Sequence, residues 1–229
     1  MTAARPRAAE RITSLEAPSS TGPPQLSPHR LAFLSDGVFA IAMTLLVLGI
    51  EVPSSGIVGA PDVPRLLFEL WPKFLSYFVS FIVLGVYWEG HHGQFHFIQR
   101  ADPILIWLNM LFLMLIAAVP FSAALLARYG IQRTVVLCYG AHLVAVGAAQ
   151  LVMWTYATRA GRLVRADLAP EAFRRETWRV LTTPSIYLIA MSLSLVSTIL
   201  SIVLFVTAPL FYIAPSLIRG WTRENTVER

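Results

Sequence analysis

The sequence predicts an all-α, polytopic membrane protein with six transmembrane helices per subunit, on three observations. Hydrophobic residues make up 56% of the 229, mean hydropathy is +0.63 and charged residues are only 14%, a balance no ordinary soluble domain carries. The apolar residues fall into runs of about 20, the length that crosses a hydrocarbon core. The basic residues then segregate to alternate ends of those runs, as expected when arginine and lysine are retained on the cytoplasmic side.

Residues 1–29 are rich in Pro, Ser, Ala and Arg without periodicity and read as a disordered cytosolic tail. They lack the apolar stretch of a signal peptide, so the first span is expected to insert the chain. That span runs from about Leu31 to Val52, and the second from about Leu66 to Trp88 with Lys73 near its outer end. The third covers Pro103 to Leu126 and the fourth Thr134 to Tyr156. The last apolar block, Leu181 to Ile218, is too long for one span and accommodates two short ones, with Ser197, Thr198 and Ser201 near the bend. One strongly tilted helix there would reduce the count to five. Residues 221–229 form a second cytosolic tail. Arg30, Arg100, the Arg159–Arg179 group and the terminal arginines all fall on one side, against Arg65, Lys73, Arg128 and Arg133 on the other. Both termini are therefore expected in the cytosol, with the basic residues at lipid headgroups and no nucleic-acid partner. Cys138 is the lone cysteine, which excludes a disulfide framework.

The first span reads FLSDGVFAIAMTLLVL from Phe33 to Leu48. At about 100° per residue, Leu45 and Leu48 lie within about 40° of Ile41, with Gly37 and Leu34 on the same side and Thr44 about 60° away. Ser35 and Asp36 project roughly 120° and 140° from that stripe. A carboxylate so placed needs a partner on a neighbouring helix or at the membrane edge. Candidates occur in YWEGHHGQFHFIQRAD, where Glu89, His91, His92, His96, Arg100 and Asp102 crowd the end of the second span. His92 and His96 share a helical face at i, i+4, but no third ligand completes a metal shell. Hydrogen bonding among these groups is the expected role, and pH sensing is open.

RLAFLSD from Arg30 to Asp36, followed by GVFAIAMTLLVL, resembles the prokaryotic branch of the transmembrane-protein-175 family of potassium channels. Its first helix carries an arginine followed by a Phe-Ser-Asp signature. Leu34 stands where the family has the phenylalanine, with Phe33 beside it. The likeness extends to YWEGHH with Phe95, to DPILIWLN with Asp102, Trp107 and Asn109, and to VPFSAALL at Pro120 and Phe121. It implies a homotetramer in a prokaryotic plasma membrane, with residues 30–220 as the channel domain and the first helix lining a central pore. The pore-lining positions it implies are Ile41, Thr44, Leu45 and Leu48. Arg30, Phe33, Ser35 and Asp36 would form a hydrogen-bonded junction with groups such as His92 and Trp107. The permeant ion would be potassium, with modest selectivity because no TVGYG-like carbonyl filter is present, and no cofactor is called for.

The same apolar stripe could instead pack against lipid, and Thr44 could bond its own helix. A small secondary transporter, or a proton or cation leak pathway, is the alternative function. A transporter should show internal repeats, and none is visible. An intramembrane enzyme built on the histidines with Asp36 or Glu89 would need a nucleophile or a complete metal shell, and neither is found.

Overall fold

The computed structural model describes residues 27–51, 63–130, 132–161, 163–165 and 169–209. Residues 1–26 of the expected N-terminal tail, the C-terminal tail, the arginines within both and the stretch from residue 210 to Ile218 lie outside the described residues, whereas Pro28 and His29, expected in the tail, already belong to the first turn of the first helix. The described chain is almost entirely helical: α1 (Pro28–Leu45), α2 (Val63–Glu69), α3 (Trp71–Phe97), α4 (Pro103–Tyr129), α5 (Arg133–Thr158), α6 (Pro170–Leu193) and α7 (Thr198–Pro209). A tighter 3-10 turn, Leu46–Gly49, extends α1. Among the described residues, three helical stretches are long and apolar enough to cross a membrane, Pro28–Gly49, Pro103–Tyr129 and Arg133–Thr158. A fourth arises if α2 and α3, bent by 46° across Leu70, form one broken span.

Pro72 explains the break, because its ring cannot continue a helix from the preceding turn but fits the first turn of a new one. Asp102 begins α4 in the same spirit, its Oδ1 accepting the Leu105 N–H at 2.8 Å. Gly130 ends that helix at φ 25°, in the positive region that favours glycine, and its N–H donates to Leu126 O at 2.8 Å.

Helix α4 lies centrally, packed against α1, α3 and α5, while α6 packs on α5 and, less extensively, α3. The core runs through Phe39 and Ala42 of α1, Val83 and Tyr87 of α3, Phe112 and Ile116 of α4, and Leu143 of α5. Tyr187 of α6 and Phe205 of α7 close it. A second cluster, with Leu31, Phe95, Ile98, Leu105, Met153 and Leu163, seals the end where α1, α4 and α6 begin and α3 and α5 finish. There the two connections clasp one another: Gln99 N donates to Leu163 O at 2.8 Å and Arg165 N to Phe97 O at 3.1 Å.

The last apolar block does bend where its hydroxyls suggested. Helix α6 stops at Leu193, and Ser201 of α7 donates its hydroxyl to Ala190 O at 2.6 Å, folding the two into a hairpin. Helix α6 begins at Pro170, well before the Leu181 at which the apolar block opens. Its first turns are amphipathic, so hydropathy alone places the start too late.

Close approach of α5 and α6 rests on two glycines seven residues apart. A Cβ on Gly147 would sit 2.7 Å from Pro184 Cβ, and one on Gly140 would sit 2.8 Å from Met191 Cβ. Small residues of this kind let membrane helices gain dispersion contact that lipid would otherwise supply. Gly147→Ala is expected to lower the thermal midpoint in detergent, at an overpacking cost of about 1 to 3 kcal/mol, because the rigid Pro184 ring cannot yield. Gly85→Ala, where nothing lies within 4 Å, should leave the midpoint unchanged or slightly raised. Equal midpoints for the two variants would refute the packing argument.

Candidate functional site on the first helix

Helix α1 is divided lengthwise. Leu31, Ser35, Phe39, Ala42 and Leu46 are buried, at spacings of three and four that keep them on one face. That face meets α3 and α4. The opposite side carries Ile41, Leu45 and Leu48 at 60%, 42% and 69% exposure, with Gly37 and Thr44 also exposed. The four positions expected to face a pore therefore share the unpartnered side of an otherwise well-packed helix. Thr44 Oγ1 donates to Ile41 O at 2.8 Å. With its proton engaged by the backbone, the hydroxyl retains lone pairs for another ligand.

What sets the rotation of α1 is a buried polar chain. Ser35 Oγ donates to Leu31 O at 2.9 Å and accepts from Asn109 Nδ2 at 3.3 Å. Asn109 Oδ1, left as an acceptor, meets His91 Nε2 at 2.9 Å, so His91 presents its Nε2–H there. The imidazole is stacked between Phe112 and Phe95, with ring centroids at 5.3 and 4.4 Å. Ser35, His91 and Asn109 are each no more than 1% exposed. Asp36 stands apart from this chain, and its Oδ1 accepts the Trp88 indole N–H at 2.8 Å.

These contacts correct the expected membership of the junction. Within the subunit the side-chain partner of Ser35 is Asn109, which in turn meets His91, and the partner of Asp36 is Trp88. His92 and Trp107 are both exposed, Trp107 at 73%, and neither bonds Ser35 or Asp36. Trp107 lies two residues from Asn109, about 200° around the helix, and so points away from α1. His92 instead lies beside the Trp88 ring at 5.6 Å. Arg30 and Phe33 are exposed on the first turns of α1. The signal for Asn109 was its isolation in PILIWLNMLFLML, since an amide set in a hydrocarbon-length run needs an internal partner.

Phe33, Asp36, His92 and His96 line an open cleft of about 420 Å³ between the start of α1 and the end of α3. Among the described residues, no three His, Cys, Asp or Glu side chains are gathered closely enough to hold a metal ion. The two carboxylates of the histidine-rich stretch, Glu89 and Asp102, have structural uses. Glu89 pairs with Arg179 of α6, which also lies 3.7 Å from Glu176, and the Asp102 carboxylate accepts the Tyr156 hydroxyl of α5.

A family model described as the endosomal/lysosomal potassium channel TMEM175 matches residues 30–120, the region that holds α1, the Ser35 chain and the first part of α4. A protein named as a potassium channel from Chamaesiphon minutus is 39% identical over 82% of this chain and 95% of its own length. Another so named, from Streptomyces collinus, is 35% identical over 80% of this chain and 90% of its own. Among solved structures, the crystal structure of a lysosomal potassium-selective channel TMEM175 homolog from Chamaesiphon minutus superposes with a TM-score of 0.73 at 33% identity, covering 82% of this chain and 97% of that one. With relatives of that identity matched along nearly their full length, the chain belongs to the TMEM175 family.

Proposed function

We propose that this protein is the subunit of a homotetrameric, modestly potassium-selective channel whose pore is lined by four copies of α1. The observation that carries the reading is the division of α1 into a packed face and an exposed one bearing Ile41, Thr44, Leu45 and Leu48. It draws further support from relatives named as potassium channels. One helix cannot enclose a pore, so a closed ring of copies is needed. Its stacked Ile41, Leu45 and Leu48 side chains then form a hydrophobic constriction that controls passage by dewetting. The Thr44 hydroxyls beside those rings offer a partly dehydrated potassium ion some of its few polar contacts.

In this reading the subunit crosses the membrane six times, through α1, the bent α2–α3 pair, α4, α5, α6 and the segment that starts with α7. The arginine-rich end, where α1, α4 and α6 begin, faces the cytosol of a prokaryotic cell, with both termini on that side. The junction built on Ser35 and Asp36 holds the pore helix and does not touch the ion. Potassium is the transported species, no cofactor takes part and no reaction is catalysed. A proton or cation leak is the second reading. It is favoured by the human relative named as an endosomal/lysosomal proton channel TMEM175, 32% identical over 58% of this chain and 28% of that protein.

Purified protein in liposomes should carry current down a potassium gradient and show the mass of four subunits in mild detergent. A monomer alone would refute the ring. Ile41→Asn should wet the constriction, raise single-channel conductance and reduce discrimination between potassium and sodium, whereas Thr44→Val should lower selectivity with the tetramer intact. Unchanged conductance and reversal potential in both variants would mean that another surface lines the pore. For the leak reading, a lumenal pH dye records proton entry under a pH gradient without potassium. Potassium current without dye response supports the potassium channel, and dye response without potassium current supports the leak.

A further inference from the structure

Helix α6 has a composite outward face. About 100° per residue places Trp178, Leu181, Ser185 and Leu188 within about 40° of Arg174 on either side, a stripe about 80° wide with Arg175 about 100° from Arg174 at its flank. Trp178, Leu181 and Leu188 are 62%, 39% and 48% exposed, and Arg174 and Arg175 are exposed as well. Along the helix the stripe passes from guanidinium to indole to aliphatic side chains. That is the order of environments met on moving from headgroups through the interface into hydrocarbon.

The rotation that presents this stripe is held from behind. Glu176 is 4% exposed, Arg179 pairs with Glu89 of α3, and Trp154 Nε1 donates to Thr177 Oγ1 at 2.9 Å. Trp154 also stacks with Phe173, ring centroids 6.1 Å apart. Helix α6 packs on α5 and α3 and makes no contact with α1, so a ring built on α1 would leave it at the periphery, against lipid. Charge around the stripe is one-sided. Between residues 159 and 175 the sequence carries Arg159, Arg162, Arg165, Arg174 and Arg175 against Asp167 and Glu171, and Arg159, Arg165 and Glu171 are exposed near its base.

We propose that Arg174 and Arg175 bind the phosphate of an anionic phospholipid whose acyl chains run along Leu181 and Leu188, with Trp178 seated at the interface between them. Guanidinium suits the task, because its planar fork grips phosphate oxygens in pairs and stays charged at any physiological pH. Basic residues at the cytoplasmic surface of a membrane are attracted to its anionic lipids in any case. The α6 stripe adds a fixed helix rotation, which makes this a local site and not a diffuse field. The proposal depends on α6 crossing a membrane and not on which ion the protein conducts.

The test uses the full chain purified in a zwitterionic detergent, with the thermal midpoint followed during titration with phosphatidylglycerol, phosphatidylcholine or inorganic phosphate. Phosphatidylglycerol is expected to raise the midpoint, and the other two to have little effect. Arg174→Gln with Arg175→Gln should raise the phosphatidylglycerol concentration for half the effect by about 25-fold, about fivefold for each arginine. Arg174→Lys with Arg175→Lys should retain part of the response. Arg128→Gln with Arg133→Gln, at the opposite end, should retain all of it. An unchanged response in the double glutamine variant, or equal loss in the opposite-end variant, would overturn the proposal. An equal shift from phosphatidylcholine would show that no anionic headgroup is needed, and one from inorganic phosphate that a lipid is not. A glutamine variant with an altered oligomeric state in phosphatidylcholine would assign the face to contact between copies of the chain instead.

Discussion

The structure depends on satisfying a few polar side chains where water is absent. In hydrocarbon an unpaired polar group costs several kcal/mol, whereas turning a leucine from protein to lipid changes little because the two surroundings are equally apolar. The rotation of α1 is therefore decided less by its many aliphatic side chains than by Ser35, whose oxygen receives the buried Asn109 amide while the Asn109 carbonyl meets His91. Once Ser35 faces inward, the helical period carries Phe39, Ala42 and Leu46 with it and leaves Ile41, Thr44, Leu45 and Leu48 outside. The hydrophobic stripe is exposed as a consequence of where the polar groups must go.

Helix α3 links this device to the rest of the bundle through two consecutive residues. Trp88 donates to Asp36 on α1, and Glu89 pairs with Arg179 on α6. Further toward the middle, Tyr87 donates its hydroxyl to Leu143 O of α5 at 2.7 Å. Three neighbouring side chains thus hold three different helices, and α3 acts as the common reference for their rotations. Packing of α5 on α6 works by a different means, with Gly140 and Gly147 admitting Met191 and Pro184 at distances no Cβ would allow. Directional bonds set the rotations, and small residues set the separations.

The two outward stripes described here differ in the chemistry they offer. On α1 the stripe is apolar throughout apart from Thr44, which suits a narrow passage closed by drying. On α6 it is graded from arginine to leucine, which suits a helix crossing from headgroup to hydrocarbon. Both helices expose leucine and isoleucine along part of their length, but of the two only α1 is apolar enough throughout to count among the membrane-length stretches.

By itself the sequence determined the class of the protein and the approximate positions of its apolar segments, because a bilayer imposes a length that a single chain must meet residue by residue. It also determined the make-up of the Ile41 stripe and the bend near Ser197, which follow from helical period and from hydroxyls interrupting an apolar run. Only the tertiary structure decided that Asn109 and not Trp107, and His91 and not His92, complete the junction with Ser35. A helical wheel fixes which residues share a face but not which neighbour that face meets, and the answer depends on the rotations of α3 and α4 together. The early start of α6 was hidden for a related reason: Glu176 and Arg179 look like solvated loop charges in one dimension, and become parts of a packed helix only when Glu89 and Gly93 of α3 are brought beside them.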